Sequence, residues 1–236
     1  NTQDPNAWRV YPSSLTTNLI HDPGQAWNAL TVGAYSELTA ISEPFGGQYT
    51  AVAPAGGLSP YTTTSSTWQT DWPFKPDLVM EGGNVAIDGT GFTSELDSLS
   101  LLTTSHEPHD RLFAVSWATS AATALAAGMA ARIQADYPTF WPETVRALMV
   151  HSARWTPPML ATYLPNGVRN QTNTRQLLRH CGYGVPNLER ALYSASNSLC
   201  LIVQDELQPY HKVGSKYRTR DMHLHALPWP IEELQT

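Results

Sequence analysis

Trp117-Ala118-Thr119-Ser120-Ala121-Ala122-Thr123-Ala124-Leu125-Ala126-Ala127-Gly128 sets a serine at the mouth of a long run of small and apolar residues. Ala121, Ala124, Ala127, Gly128 and Ala131 recur at helical spacing, and polar side chains enter only late, at Arg132, Gln134 and Asp136. From Ser120 to Tyr137 the pattern therefore predicts a central, buried helix that approaches its neighbours closely. A hydroxyl in the first turn of such a helix is held by a rigid element, and the unpaired N–H groups there favour developing negative charge. A nucleophile needs both conditions, so Ser120 is the first candidate for chemistry.

Outward from this helix, short apolar runs alternate with helical patterns. Ala29 to Tyr35 lacks alternation and predicts a strand buried on both faces, and Asp77-Leu78-Val79-Met80 predicts a second, ended by Gly82-Gly83. Leu99 to Thr104 and Arg111 to Trp117 flank the polar tip Ser105 to Asp110, as a hairpin delivering the chain to Ser120. Pro142 and Glu143 open a second helix with Val145, Leu148, Met149 and Ser152 on its buried face, and a third spans Asn187 to Ser194. Asn1 to Gln25 and the Gly/Pro/Ser/Thr-rich stretch from Glu43 to Thr70 read as loops, the latter on the surface. The expected fold is an α/β layer structure with a mainly parallel sheet flanked by helices. Beyond residue 198 the character changes: Leu199 to Val203 is strand-like and Met222 to Ala226 alternates with period two, the start of a β-rich extension over 199–236.

Composition narrows the function classes. With 236 residues, 42% hydrophobic and 14% charged, and a net charge of −6, the chain has a globular balance and no phosphate-binding character. Nucleic acid is not an expected partner, and no apolar run approaches the roughly 18 residues that span a bilayer. The chain opens at Asn1 without Met or an apolar leader, which reads as a processed product or a cut-out. Cys181 and Cys200 read as free thiols outside any metal-ligand spacing, leaning slightly toward a bacterial cytoplasm over secretion, with the compartment left open.

The ordered motifs resemble the subtilisin-like serine peptidases, the subtilase family. Ala118 to Ala124 with Ala127-Gly128 resembles the nucleophile segment Gly-Thr-Ser-x-Ala-x-Pro and its helix; Trp27 to Ala34 resembles the Asn-x-Ile-x-Val-Gly-Ala strand, and Lys75-Pro76-Asp77-Leu78 the Lys-Pro-Asp-Val segment. Pro142 to Ala153 and Gly182-Tyr183-Gly184-Val185-Pro186-Asn187 resemble the helix and closing turn that follow, so that residues 1–198 form the C-terminal part of such a domain. The sequence departs from the motif at Ala118 for Gly, Ala124 for Pro, Leu125 for His and Glu81 for Pro. Alanine at 118 is tolerated if φ stays negative.

The resemblance implies that Ser120 is the acyl-forming nucleophile of a serine endopeptidase, its own backbone N–H being one oxyanion donor. It places the oxyanion-hole amide upstream of the Val-Gly-Ala strand, at Asn1 in preference to Asn6, and the Asp and His of the triad before Asn1, so the isolated chain is expected to be inactive. A peptide or protein substrate is implied, and no cofactor or metal. A non-catalytic pseudo-peptidase holding a partner in the same groove is the alternative, motivated by Ala118 and Ala124. An esterase of another α/β fold is disfavoured because there is no Gly-x-Ser-x-Gly elbow. His106 and His109, separated by Pro108, read as a hairpin tip; His151, His223 and His225 as packing or surface residues; Asp22 and Asp77 as turn and strand-edge carboxylates; Trp68, Trp72 and Trp117 as packing; and Gly56-Gly57 as a turn.

Overall fold

A computed structural model describes residues 5–44, 46–196 and 202–225. After a short helix α1 (Pro5–Trp8), the strands β1 (Val32–Ser36), β2 (Tyr49–Ala51), β3 (Gly57–Leu58), β4 (Leu78–Glu81), β5 (Ala86–Asp88), β6 (Thr93–Ser94), β7 (Leu101–Thr104) and β8 (Phe113–Ser116) precede the helices. These are α2 (Ala118–Asp136), α3 (Pro142–Ser152), α4 (Pro157–Tyr163), α5 (Gln171–Cys181) and α6 (Leu188–Ser196), with β9 (Tyr210–Val213) and β10 (Lys216–Thr219) beyond them. No helix among the described residues is long and apolar enough to cross a membrane.

The central sheet has the order β3-β1-β4. Strand alternation divides its residues between two cores. Val32, Ala34 and Leu78 face a cluster with Ala122, Ala126, Met129 and Ile133 of α2, Leu148 and Met149 of α3 and Ala191 of α6. Leu58 and Val79 face a second cluster with Met159 of α4 and Leu177 and Cys181 of α5. Helices thus flank the sheet on both sides. The mainly parallel sheet is not what the described residues form: β1 runs parallel to β4 with Val32 opposite Leu78, whereas β1–β3, β2–β5, β5–β6, β7–β8 and β9–β10 are antiparallel. Parallel pairing needs a long crossover, and strands joined by short turns, as in β5–β6 and β7–β8, have no room for one.

Two further expectations need correction. Helix α2 buries Ala121, Ala122, Ala126, Met129 and Ile133, while Ala124, Leu125, Ala127, Gly128 and Ala131 are exposed. Alanine and glycine carry too little apolar area for their spacing to tell which side faces inward. The stretch read as a surface loop contains an unbroken buried run, Gly56 to Thr62. Its hydroxyls replace the missing sheet partners: Ser59 Oγ donates to Gly83 O at 2.7 Å, Thr62 Oγ1 accepts from Ala34 N at 2.8 Å, and Ser65 Oγ donates to Lys75 O at 2.6 Å. Buried backbone groups must be paired, and short hydroxylic side chains can do it without strands.

Asp77 likewise is more than a strand-edge carboxylate. Its Oδ2 accepts from Lys75 Nζ and from Thr31 N, each at 2.7 Å, and its Oδ1 accepts from Arg146 Nη2 at 2.7 Å. The Lys75 side chain, 1% exposed, also donates to Ala29 O. The closing Gly182-to-Asn187 turn lies against this centre: Tyr183 N donates to Asp77 O, Val79 N donates to Gly184 O, and a Cβ on Gly184 would stand 2.3 Å from Arg154 O. Helices α4 and α5, which periodicity did not reveal, are set by caps: Thr156 Oγ1 accepts from Met159 N and Asn170 Oδ1 from Asn173 N. Cys181 is free and fully buried, and burial pushes its thiol up, which leaves it inert. Cys200 and Leu199 to Leu201 lie outside the described residues, as does Ala226 at the end of the period-two stretch.

Candidate active site

The start of α2 is positioned by the turn after β4. Glu81, which stands where proline was expected, holds two amides with its carboxylate: Glu37 N donates to Oε2 at 2.6 Å and Gly83 N to Oε1 at 2.8 Å. Asn84 is fully buried and fully used, its Oδ1 accepting from Ala53 N and Val85 N and its Nδ2 donating to Leu38 O and Ala53 O. These bonds fix the carbonyl of Gly82, to which Ala118 N donates at 2.7 Å. A Cβ on Gly82 would stand 2.5 Å from Ala34 Cβ and 3.0 Å from Ala118 O, so only glycine admits this approach.

Ala118 enters the helix with φ +65, in the left-handed region, not at the negative φ expected for an alanine. Trp117 is the N-cap without a side-chain cap bond, so the helix starts at Ala118, two residues before the predicted start, and Ser120 is the third helical residue. Ser120 is exposed, and its hydroxyl makes no hydrogen bond among the described residues. The amides of Thr119 and Ser120 also lack partners among the described residues. The first turn of a 19-residue helix thus presents free N–H groups beside a free hydroxyl.

The serine opens onto a cleft of about 1230 Å³ lined, beside Ala118 to Ser120, by Trp8, Asn18, His21, Tyr61, Glu95 and Trp117. Trp8 meets Tyr61 edge-on, with ring centroids 5.6 Å apart at 81°. Tyr61 Oη donates to Glu95 Oε1 at 3.1 Å. Burial, and then the Glu95 charge, push the Tyr61 phenol well above its ordinary range, so it remains a donor to Glu95.

Of the residues singled out in sequence, the cleft includes Ser120, Ala118 and Trp117. Asn1 lies outside the described residues. His106 and His109 are at the exposed β7–β8 tip, where His106 Nε2 stands 3.7 Å from Glu107 Oε1. His151 borders a separate cavity of about 740 Å³ along α3. Trp68 and Trp72 pack edge to face at 5.5 Å, and Asp22 lines a surface hollow with Trp27 and Trp72. Asn18 and His21 were missed: they fall in a stretch without periodicity, and only the fold brings them to the serine.

Residues 1–184 match the subtilase family of S8 peptidases, and the chain belongs to that family. It is also similar to an uncharacterized protein, y4bN, of Sinorhizobium fredii (strain NBRC 101917 / NGR234), with 27% identity over 209 residues that cover 85% of this chain and 47% of the relative. The chain therefore spans about half the length of that curated relative.

Proposed function

We propose that this chain carries the nucleophile of a subtilisin-like serine endopeptidase. The supporting observation is Ser120 itself: an exposed hydroxyl in the first turn of α2, beside unpaired amides, facing a cleft wide enough for an extended peptide. Ser120 Oγ attacks the scissile carbonyl while its proton passes to a histidine base. The resulting oxyanion is held by Ser120 N–H and by the side-chain amide of Asn1. The C–N bond then breaks, the amine leaves with the proton, and water hydrolyses the ester on Ser120 by the same steps.

On this reading the base and the aspartate that orients it are not among residues 1–236, and the isolated chain is inert. We read His21 as part of the cleft wall, which it lines with Ser120. Residues 1–198 are the C-terminal part of the peptidase domain and 199–236 begin a β-rich extension, a division supported by the exposed hairpin β9–β10. A pseudo-peptidase that holds a protein partner in the same cleft is motivated by Ala118 and Ala124. Against it, Ala118 adopts the left-handed backbone for which the motif's glycine is suited. Hydrolysis of an unstructured protein by the full-length parent, abolished in Ser120→Ala, is the expected result; turnover that survives the substitution contradicts the proposal. Loss of a subtilase nucleophile removes about 10⁶-fold in kcat, so the two outcomes are well separated.

A further inference from the structure

Far along the chain from Ser120, three donors from two stretches meet at the foot of the β9–β10 hairpin. Asp205 precedes β9, and His223 and His225 follow β10. His223 Nδ1 lies 2.9 Å and His225 Nε2 3.6 Å from one oxygen, Oδ2 of Asp205. The three ligand atoms all lie within 4.8 Å of one another. Donors around a single ion at about 2.0–2.1 Å stand roughly 3–3.5 Å apart, so small side-chain movements suffice to bind one.

The hairpin brings these donors together. Its strands pair from Tyr210–Thr219 to Val213–Lys216, and Arg220 N donates to Pro209 O at 2.9 Å, extending the pairing toward the foot. Two residues apart, His223 and His225 both reach the same carboxylate. Two imidazoles and one carboxylate match zinc and its neighbours in the first transition row, not calcium or magnesium, which prefer oxygen.

The surroundings supply a purpose. All residues of β9 and β10 are exposed, and a two-stranded hairpin with no buried face is marginal in water. One leg is anchored: Gln204 Oε1 accepts from Trp141 N and from Thr144 Oγ1, each at 2.7 Å, at the start of α3. The adjoining Asp205 is therefore held against the body of the protein, whereas the returning leg reaches it through the two histidines.

We propose that Asp205, His223 and His225 form a binding site for a divalent transition-metal ion, zinc by preference, which staples the returning leg of the hairpin to the Gln204 anchor. The proposal is independent of the reading of Ser120. It is tested on the tag-free full chain by calorimetric titration with zinc chloride and by the visible spectrum of the cobalt(II) form. One equivalent is expected to bind with a rise in Tm, and calcium chloride is expected to give none. Replacing one ligand by His223→Ala, His225→Ala or Asp205→Asn should weaken binding by about ten-fold or more, since even outer-shell partners carry that much. The double variant His223→Ala/His225→Ala should lose binding and keep the metal-free Tm, because both side chains are 43% exposed. Absence of saturable zinc binding, or binding that persists unchanged in the double variant, overturns the proposal; the latter would place the ion elsewhere, as at His106 and His109.

Discussion

Ala118 donates its amide to the carbonyl of Gly82 at 2.7 Å, and does so from a backbone turned to φ +65. The two residues form the joint between the end of β4 and the start of α2. Gly82 has no room for a side chain, and Ala118 holds one in a conformation that disfavours it. The left-handed region costs an L-residue about 1–2 kcal/mol, and such strain collects where the surrounding structure fixes a functional group. Two residues past Ala118 stands Ser120, the nucleophile of the proposed function.

Relieving this strain is expected to stabilise the protein. Ala118→Gly removes the Cβ conflict and adds some chain entropy to the unfolded state, leaving a net gain of about 0.5–1 kcal/mol. Thermal unfolding should show a Tm higher by about 1–4 °C. A lower Tm would mean that the helix is not entered through a left-handed residue.

Gly82→Ala acts in the opposite sense. Its Cβ would fall 2.5 Å from Ala34 Cβ, in the centre of the sheet, where neither backbone can yield. Overpacking of this kind costs about 1–3 kcal/mol, and disturbance of the Ala118 bond adds to it. A midpoint of denaturant unfolding unchanged from the parent chain would contradict the contact.

The Lys75–Asp77–Arg146 centre predicts an ordered pair of effects. Asp77→Asn strips the counter-charge from a lysine that is 1% exposed, and breaking a buried pair this way costs about 3–5 kcal/mol. Lys75→Met leaves Asp77 with Arg146 and the Thr31 amide and should cost less. Equal losses in chemical denaturation would argue against Asp77 as the hub.

His180 gives the chain a pH dependence. It is buried, stacked on Tyr163 at 4.5 Å, and its Nδ1–H donates to Gln176 O at 2.8 Å. Burial holds its pKa below the usual 6.5, outweighing the carbonyl contact. The unfolded chain therefore takes up the proton first, and stability is lost as pH falls below about 6.5 toward the folded pKa, with no contribution above that window. The acid-side slope of Tm against pH should flatten in His180→Gln; an unchanged slope would assign it to other groups.

Much of this joint was legible in sequence, and the reasons for the exceptions are physical. Val32 to Ser36 and Leu78 to Glu81 announced themselves because consecutive apolar residues fit a strand covered on both faces. Motif order singled out Ser120, which stands in the first turn of α2 at the cleft. The buried face of α2 was not, because alanines on both sides give periodicity no contrast. The burial of Gly56 to Thr62 was hidden since serine and threonine satisfy a core through hydroxyls and still read as polar. Asp205 with His223 was hidden by its separation along the chain, which only hairpin pairing closes.

His21 shares the cleft with Ser120, and its exchange separates wall from base. In full-length protein, His21→Ala should lower kcat/KM by less than about ten-fold, whereas general-base catalysis itself contributes typically 10²–10⁴-fold. A loss of the larger size, with Tm unchanged, would make His21 the base and place the chemistry within this chain.

The most direct measurement is covalent labelling of Ser120 by a fluorophosphonate, followed by peptide mapping, in the full-length protein and in residues 1–236 alone. The account predicts rapid modification at Ser120 in the full-length protein, none in its Ser120→Ala variant, and none above the rate of ordinary serines in the isolated chain. No labelling of the full-length protein at Ser120, with the fold intact, would contradict it.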